Sequence, residues 1–109
     1  MKLSRGRGKI LLSGINNKKS VEIVDGYYTE DGKYFIYKGK LNWYMMDVAS
    51  GLSYGKSQHY ATKKDVEKNL TNIIIKFEKV RENDKTWYDK VSKSYKKLCR
   101  EYDLNGGRR

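Results

Sequence analysis

The hydrophobic pattern of the chain changes about halfway along its length, and this change restricts the fold more than any other feature. Between about residues 10 and 60, short runs rich in β-branched and aromatic residues are separated by turn-forming dipeptides. After residue 62, apolar residues recur at the three- and four-residue spacing of an amphipathic helix. Because strands joined by short loops pair antiparallel, the sequence predicts an α+β fold: an antiparallel β-meander of three to five strands followed by two α-helices, the first helix packed on the sheet.

Five segments fit short strands, and turn signals separate them. Asp-Gly and Asn-Asn pairs accept the left-handed backbone of tight turns, and glycine-containing segments separate the later strands. The chain has no proline, which favours uninterrupted strands and helices. The predicted strands are residues 10–12, 20–24, 33–38, 43–48 and 52–54, and the predicted turns lie at 16–17, 25–26, 31–32, 39–42 and 49–51.

Neither face of the predicted sheet is polar. In the third strand, Tyr34 and Ile36 point to one face while Phe35 and Tyr37 point to the other. Two interpretations follow. Either helices, or a helix and a dimer partner, cover both faces, or one face packs on the core and the other presents aromatic rings to a ligand or partner. The second interpretation makes three aromatic residues candidates for partner contact: Tyr37, Trp43 and Tyr44.

The second half of the chain predicts two amphipathic helices. Thr62 and Asp65 have the spacing of an N-cap followed by an acid in the first turn. The pattern breaks near residues 82–84, where either Asp84 or Thr86 caps the second helix. The predicted apolar stripes are Val66, Leu70, Ile73, Ile74, Phe77 and Val80 on the first helix, and Trp87, Val91, Tyr95, Leu98 and Tyr102 on the second.

The charge of the chain is concentrated at its two ends. The formal net charge is +11 over 109 residues, a length typical of one domain. Residues 1–9 carry four bases and no acid, residues 10–61 six bases and five acids, and residues 62–109 fourteen bases and eight acids. We therefore expect residues 1–8 to be a flexible basic arm, residues 9–104 to form the α+β domain, and residues 105–109 to be a basic tail.

This charge distribution favours a polyanionic partner, and nucleic acid is the leading one. Bases on a glycine-rich arm suit either entry into a minor groove or contact with phosphates. Bases at helical spacing form a stripe that can follow a phosphate backbone, although a solvated face that only adds solubility is the other interpretation. The candidate nucleic-acid-binding residues are Arg5, Arg7 and Lys9 on the arm, and Lys90, Lys93, Lys97 and Arg100 on the second helix.

Features of an enzyme, a metal site or a cofactor site are weak. His59 is the single histidine and Cys99 the single cysteine, so a cluster of metal ligands and an intramolecular disulfide are not expected. The glycines of Arg5–Gly8 and Gly51–Gly55 match no phosphate-binding loop. The single cysteine predicts a reduced intracellular compartment. A cytoplasmic location without membrane contact is expected, because the apolar run at residues 10–12 is too short for a signal peptide or membrane span.

One segment resembles a known family. The strand at residues 43–48, the turn and strand at Ser50–Ser53 and the helix start at Thr62–Val66 are similar to the small three-stranded-sheet-plus-helix domains of the phage integrase arm-binding and AP2-like type. In that family the sheet enters the major groove and the helix packs behind it. The resemblance covers about a quarter of the chain and carries over no base-contact residues. The second helix and the aromatic density depart from the pattern.

The sequence thus predicts a small, non-enzymatic nucleic-acid-binding protein, with DNA and RNA both open. Its high Lys, Asn, Tyr and Ile content suits a compact AT-rich genome, which suggests a phage or mobile element. One alternative is a phage inhibitor of a host nucleoprotein defence effector, of the anti-CRISPR type, that acts by protein–protein binding. Another is a scaffold that forms a homodimer through its aromatic sheet face.

Overall fold

The protein is an antiparallel sheet with helices on both of its faces. The computed structural model describes residues 2–13, 18–40, 42–54 and 60–104. Five strands form one sheet in the order β1-β2-β3-β4-β5, with every neighbouring pair antiparallel. This confirms the predicted α+β meander followed by helices. The elements are β1 (Leu3–Ser13), β2 (Lys19–Thr29), β3 (Tyr34–Lys38), β4 (Trp43–Asp47), β5 (Ser53–Tyr54), α1 (Lys63–Lys68), α2 (Leu70–Asn83) and α3 (Lys85–Leu104).

The β1–β2 hairpin is much longer than predicted. The two strands pair continuously from Leu3 opposite Thr29 to Ser13 opposite Lys19. The predicted flexible arm is therefore wrong from residue 3 onwards, because these residues form strand hydrogen bonds with β2. The glycines of this segment serve packing, since a Cβ on Gly8 would lie 2.7 Å from the ring of Phe35.

The predicted turns fall into three groups. The turn at 25–26 is wrong because Gly26 lies inside β2, between Gly6 and Tyr37. The turns at 31–32, 39–42 and 49–51 are confirmed by the hydrogen bonds that close them, and Gly32 and Gly51 have φ angles of 72° and 75°. The turn at 16–17, His59 and the tail at 105–109 lie outside the described residues.

Helices cover both faces of the sheet, in agreement with the first of the two interpretations of its apolar faces. Tyr34, Ile36 and Met45 point to the face covered by α1 and α2, which we call the α2 face. Phe35, Tyr37 and Met46 point to the opposite face, which packs on α3 and is called the α3 face. The helical residues that complete the two cores are Val66, Leu70, Ile73 and Phe77 on the α2 face, and Tyr95 on the α3 face.

The predicted helix starts are confirmed, but two residues predicted to lie on the apolar stripes are exposed. Thr62 and Asp65 form a capping box at α1, and the Asp84 carboxylate accepts a hydrogen bond from the Trp87 backbone N–H, which identifies Asp84 as the cap of α3. Val80 and Trp87 are corrections to the predicted stripes, because their side chains are 38% and 43% exposed.

The first predicted helix is divided at Asn69, which interrupts the helix between α1 and α2. The Asn69 side chain donates a hydrogen bond to the backbone carbonyl of Asp65, so part of the backbone bonding lost at the break is replaced. The apolar stripe nevertheless continues from Val66 to Leu70 across the break. As a result both segments cover the same face of the sheet.

A buried carboxylate joins β4 to α2 and α3. Asp47 is 1% exposed, and its Oδ2 accepts hydrogen bonds of 2.6 Å from both Ser50 and Tyr88. The Arg81 guanidinium lies 3.6 Å from its other oxygen and faces the Tyr88 ring at 5.2 Å. Burial raises the pKa of the Tyr88 phenol, and the Asp47 hydrogen bond raises it further. We call Asp47, Ser50, Arg81 and Tyr88 the Asp47 network.

Candidate nucleic-acid interface

The outer side of α3 carries the predicted basic stripe. The buried side chains of this helix are Tyr88, Ser92 and Tyr95, which orient the helix on the sheet and the Asp47 network. Side chains on the other side of the helix therefore face solvent. We call this surface the α3 stripe; its four residues, all exposed, are Lys90, Lys93, Lys97 and Arg100.

The α3 stripe lies on a helix with an excess of bases over acids. Helix α3 contains six bases and three acids. None of the four stripe residues forms an ion pair with another part of the chain that the structure describes. Ten residues of helix separate Lys90 from Arg100, which corresponds to about 15 Å along the axis. The four charges thus form a line long enough to contact several consecutive phosphates.

The three predicted arm bases instead lie in β1. Arg5 and Arg7 are two residues apart, so their side chains leave the same face of the sheet, whereas the Lys9 ammonium reaches α3 on the other side from this edge strand. Lys9 is engaged by α3, because its Nζ lies 2.7 and 2.8 Å from the two carboxylate oxygens of Asp103. Arg7 faces Asp25 at 3.5 Å, with both side chains largely exposed. Lys9 therefore serves the fold, whereas Arg5 and Arg7 remain accessible to a ligand.

Arg5 and Arg7 line an open cleft of about 550 Å³ on the α2 face of the sheet. Strand register explains its composition: Arg7 pairs with Asp25 in β2, and Lys38 at the end of β3 pairs with Trp43 in β4. Side chains from four neighbouring strands therefore meet at one end of the sheet. We call this the Trp43 cleft, and it is lined by Arg5, Gly6, Arg7, Asp25, Gly26, Tyr27, Lys38 and Trp43.

Lys38 and Tyr27 are not among the binding residues predicted from the sequence. Their place in the cleft can be assigned only when the strand register is known. In that register Tyr27 pairs with Arg5 of β1 on one side and with Ile36 of β3 on the other. Alternation within each strand could have placed both residues on the α2 face. It could not have aligned four strands with one another.

The three aromatic residues predicted for partner contact do not share a surface. Tyr37 is a correction: it is 6% exposed, stacks between Phe35 and Tyr44, and shares a hydrogen bond of 2.8 Å with Ser53. Tyr44 is half-buried on the same α3 face. Trp43 is half-buried on the opposite face, where it packs against the core and lines the Trp43 cleft. Only Trp43 therefore joins the predicted bases.

The predicted binding residues that remain accessible therefore lie on two separate surfaces, the α3 stripe and the Trp43 cleft. The Trp43 cleft lies on the α2 face of the sheet, whereas α3 packs on the other face. The centre of the sheet is closed on both sides, since Phe35, Ile36 and Met45 are completely buried. This arrangement departs from the resemblance to arm-binding domains, in which an open sheet enters the major groove.

The remaining reactive side chains of the described residues contribute to packing between α3 and β1. The described ranges contain no group of three or more His, Cys, Asp or Glu residues able to hold a metal ion. Cys99 is half-buried beside Tyr95, whose hydroxyl donates to the Lys9 backbone carbonyl. Burial, with a further contribution from Cys99, raises the pKa of Tyr95 well above its ordinary value. The Tyr95 hydrogen bond fastens α3 to β1.

Comparison with known proteins finds no matching family model, no matching curated protein and no matching solved structure. The helices within the described residues are also too short or too polar to cross a membrane.

Proposed function

We propose that this protein binds nucleic acid without catalysing a reaction, and that the α3 stripe is its main contact with phosphates. The observation that supports this function best is the alignment of four exposed bases on one side of a helix whose other side is fixed to the sheet. A rigidly held line of charges loses less conformational freedom on binding than bases on a flexible arm.

Counterion release gives the proposal a quantitative signature. Each phosphate neutralised by a Lys or Arg contributes roughly −0.9 to the slope of log K against log salt concentration for duplex DNA, and about −0.7 for single strands. Four stripe contacts therefore correspond to a slope of about −3 to −4. Because phosphate contacts are independent of base identity, the loss of these side chains weakens binding to all sequences similarly.

The test is a fluorescence-anisotropy titration at several salt concentrations with duplex DNA, single-stranded DNA and structured RNA. The variant replaces Lys90, Lys93 and Lys97 with Gln. The matched control replaces three other exposed helical lysines with Gln and thus removes the same charge; they lie on α1 and α2 and are Lys64, Lys68 and Lys79.

We expect the stripe variant to lose at least tenfold in affinity and about two to three units of salt slope, while the control changes both much less. Equal losses in the two variants would mean that only the overall charge matters, and this would refute the α3 stripe. Weak binding of the unmodified protein to all three nucleic acids, abolished by moderate salt, would refute nucleic-acid binding as the function. A protein or nucleoprotein partner would then be the alternative to pursue.

A further inference from the structure

We infer that the Trp43 cleft binds an unpaired nucleotide, with the base stacked on Trp43 and the phosphates held by Arg5 and Arg7. This inference rests on the proposed function, because the cleft is taken to bind the same nucleic acid as the α3 stripe. It adds a second contact surface on the opposite side of the sheet, and it specifies a single-stranded segment of the ligand.

The charge of the cleft matches an anionic ligand. Three bases and one acid line it: Arg5, Arg7 and Lys38 against Asp25. Arg5 and Arg7 are two residues apart on one strand, so their Cα atoms are about 7 Å apart and their side chains leave the same face. The acid is already opposed by Arg7, in an ion pair whose two side chains are 78% and 91% exposed. Such exposed pairs are weak, and a phosphate can replace Asp25 as the partner of Arg7.

The aromatic surface of the cleft favours a single base. Of its two aromatic rings, Tyr27 is already covered, because Lys63 Nζ lies 4.2 Å from the centre of its ring. Trp43 is fixed by the core on one side and by the hydrogen bond from its backbone N–H to the Tyr60 carbonyl. A ring held in this way and open to a cleft gives a rigid stacking platform.

Unpaired bases fit this platform better than a duplex does. In a duplex the faces of the bases are covered by their neighbours, whereas an unstacked base exposes a π-face to a protein ring. Arg5 and Arg7 on β1 and Lys38 on β3 line the same cleft as the ring, so they can hold phosphates next to the stacked base. The geometry thus combines the two elements that single-strand binding requires, which are a basic track and a stacking ring.

The experiment uses tryptophan fluorescence as a reporter of the cleft. The chain has two tryptophans, so Trp87→Phe leaves Trp43 as the sole one. This protein is titrated with a dye-labelled single-stranded oligonucleotide and with its duplex. Trp43 emission reports stacking in the cleft, while dye anisotropy in the same titration reports total binding. We expect the single strand to quench Trp43 in a saturable manner, and the duplex to bind with little quenching.

Charge variants in this background separate the cleft from the general field of the protein. Arg5→Gln with Arg7→Gln should lower single-strand affinity about tenfold and shift the quenching curve to correspondingly higher oligonucleotide concentrations. The control, Lys64→Gln with Lys79→Gln, removes two exposed charges elsewhere and should retain the quenching. Asp25→Asn removes the competing carboxylate and should raise affinity for the single strand. Far-UV circular dichroism verifies that each variant is folded.

The outcomes distinguish the two proposals. Binding seen by anisotropy without quenching of Trp43 would overturn the cleft inference and leave the α3 stripe intact. Equal quenching by single strand and duplex would also overturn it, as would a quenching curve that is not shifted by the double Arg substitution. Absence of binding in both readouts would instead overturn the proposed function, and the inference with it.

Discussion

Replacement of Asp47 by Ala should strongly destabilise the protein, because Asp47 is the acceptor at the centre of the Asp47 network. The substitution removes the acceptor of two hydrogen bonds of 2.6 Å, from Ser50 and Tyr88, inside a site where Asp47 is 1% exposed. It also leaves Arg81 without the carboxylate that lies 3.6 Å away. The remaining donors stay buried without a partner, which is the costly part of the change.

The magnitude follows from these contacts. A hydrogen bond to a charged group contributes about 1.5–3 kcal/mol, so the two bonds to the Asp47 carboxylate together contribute about 3–6 kcal/mol. The Arg81 side chain is 38% exposed, so we assign little additional energy to the ion pair itself. We expect a loss of about 3–6 kcal/mol from the free energy of unfolding, against a total of roughly 5–15 kcal/mol for a domain of this kind.

The assay is urea-induced unfolding followed by tryptophan fluorescence and circular dichroism. Asp89→Ala serves as control because Asp89 is an exposed carboxylate on the same helix as Tyr88, and we expect a change within about 0.5 kcal/mol. Tyr88→Phe should cost about 1.5–3 kcal/mol, and its effect should be smaller in the Asp47→Ala background because the two residues share a hydrogen bond. A loss below about 1 kcal/mol for Asp47→Ala, or fully additive effects of the two changes, would refute this account of the Asp47 network.

Two further predictions concern the sheet and its contact with α3. Gly26→Ala places a Cβ 2.4 Å from the Ile36 carbonyl oxygen and 2.5 Å from the Phe35 ring. We therefore expect the free energy of unfolding in urea to fall by about 1–3 kcal/mol. Ser4→Ala, at an exposed position, is the control, and an equal urea midpoint in the two variants would contradict the prediction. The raised pKa of Tyr95 means that the folded state keeps a proton that the unfolded chain releases above its ordinary pKa of 10. This group should therefore leave the free energy of unfolding unchanged below pH 10 and lower it as pH rises towards the pKa of the folded state. Unfolding experiments across that pH range should show a shallower fall in stability for Tyr95→Phe than for the parent. Equal slopes of stability against pH would refute the role given to Tyr95.

Local patterns in the sequence were sufficient for the order of the elements and for the α3 stripe. Alternation and turn residues identify strands because their periodicity and backbone angles are properties of a few adjacent residues. The same holds for the capping box of Thr62 and Asp65, which are three residues apart. Lys90 and Lys97 share a side of α3 for the same reason, since helical geometry alone places them there once the helix is assigned.

The roles of Lys9, Asp47 and Gly26 depend on contacts with residues far away in the sequence. Lys9 was predicted to be an arm base, yet it is held by Asp103, 94 positions away. The sequence marks Asp47 only as a strand residue, and its role depends on the hydrogen bond from Tyr88, 41 positions further on. Gly26 resembled a turn residue but is there because its backbone lies against the Phe35 ring.

The two candidate surfaces illustrate the same division. The basic outer side of α3 follows from the sequence, because the spacing of its charges and of its buried residues repeats within one helix. The meeting of Arg5, Lys38 and Trp43 in one cleft, and the packing of Tyr37 on the opposite face, follow only from the folded structure. Strand register and sheet coverage depend on pairing and packing between segments far apart in the chain, and no local periodicity encodes them.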